Sequence, residues 1–137
     1  MNIEKHLSNL KESIDVINEC IQRGNLVERQ RTIGFHTSVA CVDLLEVYLH
    51  KENLIDPGMQ LKHDWFASKN KIESKLPFEF QNKDQILNIM HMIETKRNIL
   101  CYGAPQEKET IIEIITLFQK LRKIMKSMGV DNDYEYE

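Results

Sequence analysis

Arg97 is the residue whose placement most needs a chemical explanation. It stands four residues after Ile93 and three before Leu100, so a helix through this stretch carries it on the apolar face. A guanidinium there is costly unless it is paired or opens onto a wet crevice. In one reading its stem lies over the apolar seam and its fork pairs with a carboxylate such as Asp43 or Glu46. In the other it binds an anion, and its planar fork suits phosphate. Under the second reading the neighbours would take part. Lys96 adds positive charge and Asn98 an amide, while Tyr102 offers a hydroxyl for phosphate and a ring on which a base can stack.

A second set lies earlier in the chain. Arg29, His36, Asp43 and His50 recur every seven residues and so form one stripe on a helix. The stripe is either the polar edge of a central helix or a wall facing Arg97. In the latter case His36 is the candidate acid or base, because an imidazole titrates near neutrality. Asp43 sits among Val42, Leu44 and Leu45 and calls for a cationic partner, for which Arg97 is the expected one. No metal or cofactor is expected. Cys20, Cys41 and Cys101 form no C-x-x-C pair, and neither Glu46/His50 nor His91/Glu94 has the Glu-x-x-His form of bundle di-iron sites. A Gly-rich phosphate loop, a nucleophile elbow and H-E-x-x-H are all missing.

The elements that must position these residues are helices. Ile3, Leu7, Leu10, Ile14, Ile17 and Ile21 make one seam over residues 3–23, which Asn2 can cap and Gly24-Asn25 ends. A second helix is predicted from Leu26 to Asn53. It is apolar nearly all round between Val39 and Leu49, so it belongs at the centre, and Gly34 inside it marks the close approach of another helix. Asp56-Pro57-Gly58 is a turn, and a shorter helical segment over 61–76 ends before Pro77, after which Phe78 and Phe80 tuck the loop against the bundle. Asn82 and Gln85 are spaced as a capping box for a fourth helix closed by Gly103 and Pro105; the fifth runs over 107–128. With 5 Gly and 3 Pro in 137 residues, the chain reads as an all-α, up-and-down bundle of four to five helices. One domain spans 1–129, followed by a frayed acidic tail over 130–137.

The net charge of −3 includes Asp131, Asp133, Glu135 and Glu137, so the rest of the chain is close to balanced. That does not describe a general DNA binder. The N-terminus has no apolar run of membrane or signal-peptide length, so the chain is expected in the cytoplasm, with its thiols reduced and no membrane partner.

The stretch Thr95-Lys96-Arg97-Asn98-Ile99-Leu100-Cys101-Tyr102-Gly103 resembles the signature of the HEPN family, the higher eukaryote and prokaryote nucleotide-binding domains. The family motif is an Arg followed by a polar residue and, four to six residues on, a His. Phe35-His36 ahead of Val39-Ala40-Cys41, and the linker leading to Lys62-His63-Asp64, are also similar to HEPN layouts. The resemblance implies a small, often dimeric helical bundle, with many members RNases of toxin–antitoxin pairs encoded beside a minimal nucleotidyltransferase. It implies Arg97, with Asn98, Tyr102 and Lys96, as the nucleotide- or RNA-binding set. The family's His is replaced: Tyr102, Gly103 and Ala104 stand where it would fall. RNase catalysis by Arg97 then requires a substitute such as His36. The rival reading is a helical interaction module with no catalytic site, in which Arg97 is a paired core residue.

Overall fold

The computed structural model describes residues 3–133. They form five α-helices, α1 (Ile3–Arg23), α2 (Gln30–Lys51), α3 (Lys69–Lys75), α4 (Lys83–Tyr102) and α5 (Lys108–Ser127), with a 3-10 turn at His63–Ala67 and no strand. Side-chain pairs give the directions. His6 meets Asp43 and Ser13 meets His36, so α1 and α2 are antiparallel. Ser38 meets Glu94 and Gln30 meets Leu100, so α2 and α4 are antiparallel as well. Lys51 reaches Gly129 at one end while Gln30 binds Gln106 at the other, which sets α5 parallel to α2. The four long helices are therefore an all-α, up-and-down bundle, with α3 as a short addition packed on the 3-10 turn, which itself lies against α4.

α2 is the central helix. It packs against α1, α4 and α5, and every residue from Cys41 to Leu49 except Val42 is buried. Leu10, Ile14 and Ile17 of α1, Ile86, Ile89 and Ile93 of α4, and Ile111, Phe118 and Leu121 of α5 complete the core. Gly34 has the role its position suggests: an added Cβ would stand 2.9 Å from Leu100 Cβ and 3.3 Å from Cys101 Sγ. Helices α2 and α4 touch there because no side chain intervenes.

Several boundaries differ from the sequence reading. α1 ends as expected at Gly24, in the left-handed region, but Ile21 leaves the seam and is exposed. Residues 26–29 are turns instead of helix, with Leu26 buried as a plug, so α2 begins at Gln30. The predicted segment 61–76 divides at Ser68, whose hydroxyl caps α3 by accepting from the Lys71 N–H. The capping box at Asn82 does not form. Asn82 is itself left-handed (φ 60°) and its side chain makes no cap bond, a conformation Asn tolerates better than most residues. Gly103 does close α4, but in an extended conformation; an added Cβ would lie 2.6 Å from Ile99 O.

At the start of the stretch expected as a frayed tail, Val130 and Asn132 are buried, and the Asn132 side chain and carbonyl accept from Arg122 Nε (2.9 Å) and Nη2 (2.6 Å). Those bonds tie residue 132 to α5. The expected capping by Asn2 and the rest of the tail, 134–137, lie outside the described residues. No helix among the described residues is long and apolar enough to cross a membrane.

Candidate functional site

Arg97 is 7 % exposed, on the α4 face directed at α2. Among the described residues it forms no ion pair, and its buried Nε has no hydrogen-bond partner. Its guanidinium carbon lies 5.9 Å from the centroid of the Phe35 ring, a cation–π distance. Pairing with Asp43 or Glu46 is thereby overturned. Asp43 meets His6 instead, and Glu46 meets His6 and the backbone of Leu61.

Arg97 opens on a crevice of about 390 Å³ walled by Arg31, Phe35 and His36 of α2 and by Cys101 and Tyr102 of α4. The close approach at Gly34 creates it: Phe35 and His36 follow directly, and Leu100 and Cys101 carry α4 past them. Gln30 holds the far end. Its amide donates to Leu100 O (3.2 Å) and Ala104 O (3.3 Å), and its own oxygen accepts from Gln106 N–H (2.7 Å). These bonds fix the last turn of α4, where Tyr102 stands 73 % exposed at the rim.

The sequence-chosen residues divide. Arg97, His36 and Tyr102 share the crevice. Asn98 is exposed but is not among the crevice walls. Lys96 turns to α5 and pairs with Glu113 at 2.6 Å. His36 lies edge-on to Phe35, and its Nδ1 is 3.1 Å from Ser13 Oγ. Burial lowers its pKa, so its imidazole is neutral at pH 7, the form that accepts a proton. A guanidinium with an unmet donor, a neutral imidazole and a free phenol around one opening can hold an anion and move a proton beside it.

Phe35 and His36 also border a second, larger cleft of about 630 Å³ between α1, α2 and the segment 60–64. Its wall is ionic. His6, 3 % exposed, places Nδ1 2.9 Å from Asp43 Oδ1 and Nε2 2.8 Å from Glu46 Oε2. Burial alone would lower the His6 pKa; its contacts with Asp43 and Glu46 outweigh that and raise it to about 9. Burial pushes Asp43 up, against the pull of His6. Further along, His63 Nδ1 sits 3.0 Å from both oxygens of the buried Glu94, to which Ser38 also donates.

The seven-residue stripe on α2 thus faces α1 at His36 and Asp43. His6 escaped the sequence reading, although a signal existed. His6 and Ser13 are also seven apart, beside Leu10 and Ile17, and antiparallel packing sets that pair against Asp43 and His36. Comparison with family models, with curated proteins and with solved structures finds no match.

Proposed function

We propose that the protein is a HEPN-like helical module that binds a nucleotide or a short RNA through the crevice at Arg97. The observation that carries this reading is a guanidinium nine-tenths buried with an unpartnered Nε and no carboxylate partner among the described residues, beside an opening. A purely structural Arg would be expected to find a partner, because an uncompensated buried charge costs several kcal/mol, or about that order. An anion supplied from outside meets the same need. Tyr102 and Phe35, exposed at the rim, offer faces for a base.

In this reading Arg97 and Tyr102 contact the ligand, while Asn98 and Lys96 contribute at most to the approach. His36 replaces the missing motif histidine as acid or base if RNA is cleaved. Phe35, Ile99 and Tyr102 leave apolar surface near the crevice, which supports a homodimer formed around it. A nucleotidyltransferase is the expected partner of such a toxin–antitoxin-type pair. The three free thiols accord with a cytoplasmic protein.

The test is a binding panel of nucleotides and short RNAs against wild type, Arg97→Met and Tyr102→Ala, alongside RNA cleavage by wild type and His36→Gln. Ligand-dependent stabilisation of wild type that both variants lose supports the reading. A well-folded wild type that binds nothing on the panel rejects it in favour of a helical interaction module.

A further inference from the structure

Away from the Arg97 crevice, two imidazole nitrogens and a carboxylate converge, and one of the imidazole nitrogens is left without a hydrogen bond. His6 of α1 and Glu46 and His50 of α2 each offer one atom to a group lying within 4.8 Å of one another. Both histidine side chains are more than nine-tenths buried. His50 Nε2 lies 4.0 Å from Glu46 Oε1, beyond hydrogen-bonding reach, and has no other partner. His6 Nε2 lies close to Glu46 Oε2, yet the approach is out of line for a hydrogen bond. A buried His50 nitrogen left without a hydrogen bond, beside a carboxylate already engaged by His6, calls for an explanation that ordinary side-chain pairing does not supply.

We propose that His6, Glu46 and His50 form a binding site for a divalent transition-metal ion of the zinc type. Two imidazoles and one carboxylate are a donor set for such ions, with bonds of about 2.0–2.2 Å. In a tetrahedron of that size neighbouring ligand atoms stand roughly 3.4 Å apart. The three ligand atoms already lie within 4.8 Å of one another, so they would have to draw in by about an ångström, through side-chain rotation, to close on an ion.

The surroundings are those of a supported site. Asp43 Oδ1 holds His6 Nδ1 at 2.9 Å, the carboxylate–histidine pairing that orients a ligating ring and leaves Nε2 for the metal. Glu46 Oε1 accepts the Leu61 N–H at 2.8 Å, which fixes the carboxylate from the other side. Glu46 and His50 are one turn apart on a rigid, fully packed helix. His6 and Glu46 border the 630 Å³ cleft while His50 does not, so His50 closes the inner side and water completes the coordination from the cleft.

Full-length protein is stripped with chelator and titrated with Zn²⁺, and separately with Co²⁺ as a spectroscopic probe. The expected result is one ion per chain, with visible d–d absorption for Co²⁺. On Zn²⁺ addition, imidazole ¹⁵N NMR of wild type shows two of the 5 histidines moving to metal-bound shifts. His50→Gln removes a ligand with little change in volume and should abolish stoichiometric uptake. Asp43→Asn keeps all three ligands and should weaken affinity by about 10–100-fold. The NMR readout uses wild type alone, so it stands even if a variant fails to fold. Absence of saturable uptake, shifts confined to other histidines, or undiminished binding by a folded His50→Gln each overturns the proposal. None of these outcomes depends on whether a nucleotide or RNA binds at Arg97.

Discussion

Replacing Arg97 by Met should stabilise the protein. Met approximates the length of the Arg stem and keeps the apolar contact while deleting the charge. The wild type holds a buried Nε–H donor with no acceptor. An unsatisfied buried donor costs about 1–3 kcal/mol. Against its removal stands the loss of the cation–π contact with Phe35, which is itself half exposed. At such a site the contact contributes about 0.5–1 kcal/mol. The difference runs from about 0 to 2.5 kcal/mol in favour of the variant. For a chain of this size that corresponds to a rise in Tm of up to about 10 °C. The assay is urea denaturation at pH 7 in a non-coordinating buffer, with the midpoint rising at unchanged m-value. Added phosphate or nucleotide should raise the wild-type midpoint and leave that of the variant unmoved, because the anion binds the guanidinium that Met lacks. A loss of about 3–5 kcal/mol would refute the reasoning, since that is the signature of breaking a buried ion pair.

Four further outcomes follow from the same geometry. Tyr102→Ala, at a site 73 % exposed, should leave the denaturation midpoint within about 0.5 kcal/mol of wild type while weakening nucleotide or RNA binding; a large stability loss contradicts its placement at the rim. Gly34→Val should destabilise by about 1–3 kcal/mol, because its side chain meets Leu100 Cβ, which cannot swing away, and the same displacement should weaken ligand binding at Arg97 in a titration. In chelator-treated protein, stability should fall as pH rises: the His6 pKa of about 9 exceeds its ordinary 6.5, so the folded state keeps a proton that the unfolded chain releases. The contribution is complete below about 6.5 and lost through about 9, so the urea midpoint should fall between pH 7 and 8.5, and a flat or rising profile there contradicts the His6 cluster. Asn132→Ala should cost about 1–2 kcal/mol in the same assay, since it deletes the side-chain acceptor of Arg122 Nε; no change would mean that residues 130–133 are not docked in solution.

The helices were legible because their apolar periods are long and regular. The α1 boundaries, the central position of α2 and the glycine at its contact with α4 all follow from side-chain spacing, which burial enforces directly. The misreadings fall where a local preference competes with a tertiary contact. Leu26 looks like a first helical residue, but burial as a plug holds residues 26–29 in turns. Asn82 and Gln85 have capping-box spacing, but Asn82 takes the left-handed conformation and its side chain cannot cap. Acidity between 131 and 137 suggested a tail throughout, whereas Arg122 is a side chain on α5 whose need for acceptors draws Asn132 in. None of these contacts has a periodic trace in the sequence.

The site was half legible for a related reason. An Arg on an apolar seam and a polar stripe on a central helix are both visible one helix at a time. Which of them meet depends on rotation and register between helices, and that register assigns His6, not Arg97, to Asp43. The consequence is energetic. A cluster such as His6, Asp43 and Glu46 adds little stability for its size, and well-packed apolar replacements of similar ionic groups have stabilised other proteins by about 1–4 kcal/mol. An orphaned His50 Nε2 beside it and an unpaired Arg97 across α2 add further cost. The core of this bundle, with Leu, Ile and Phe fully buried from every long helix, does not need these groups to fold. Arg97 stands at the wall of one opening and His6, Asp43 and Glu46 at the wall of the adjoining one, where the proposed anion and metal ion would offset that cost.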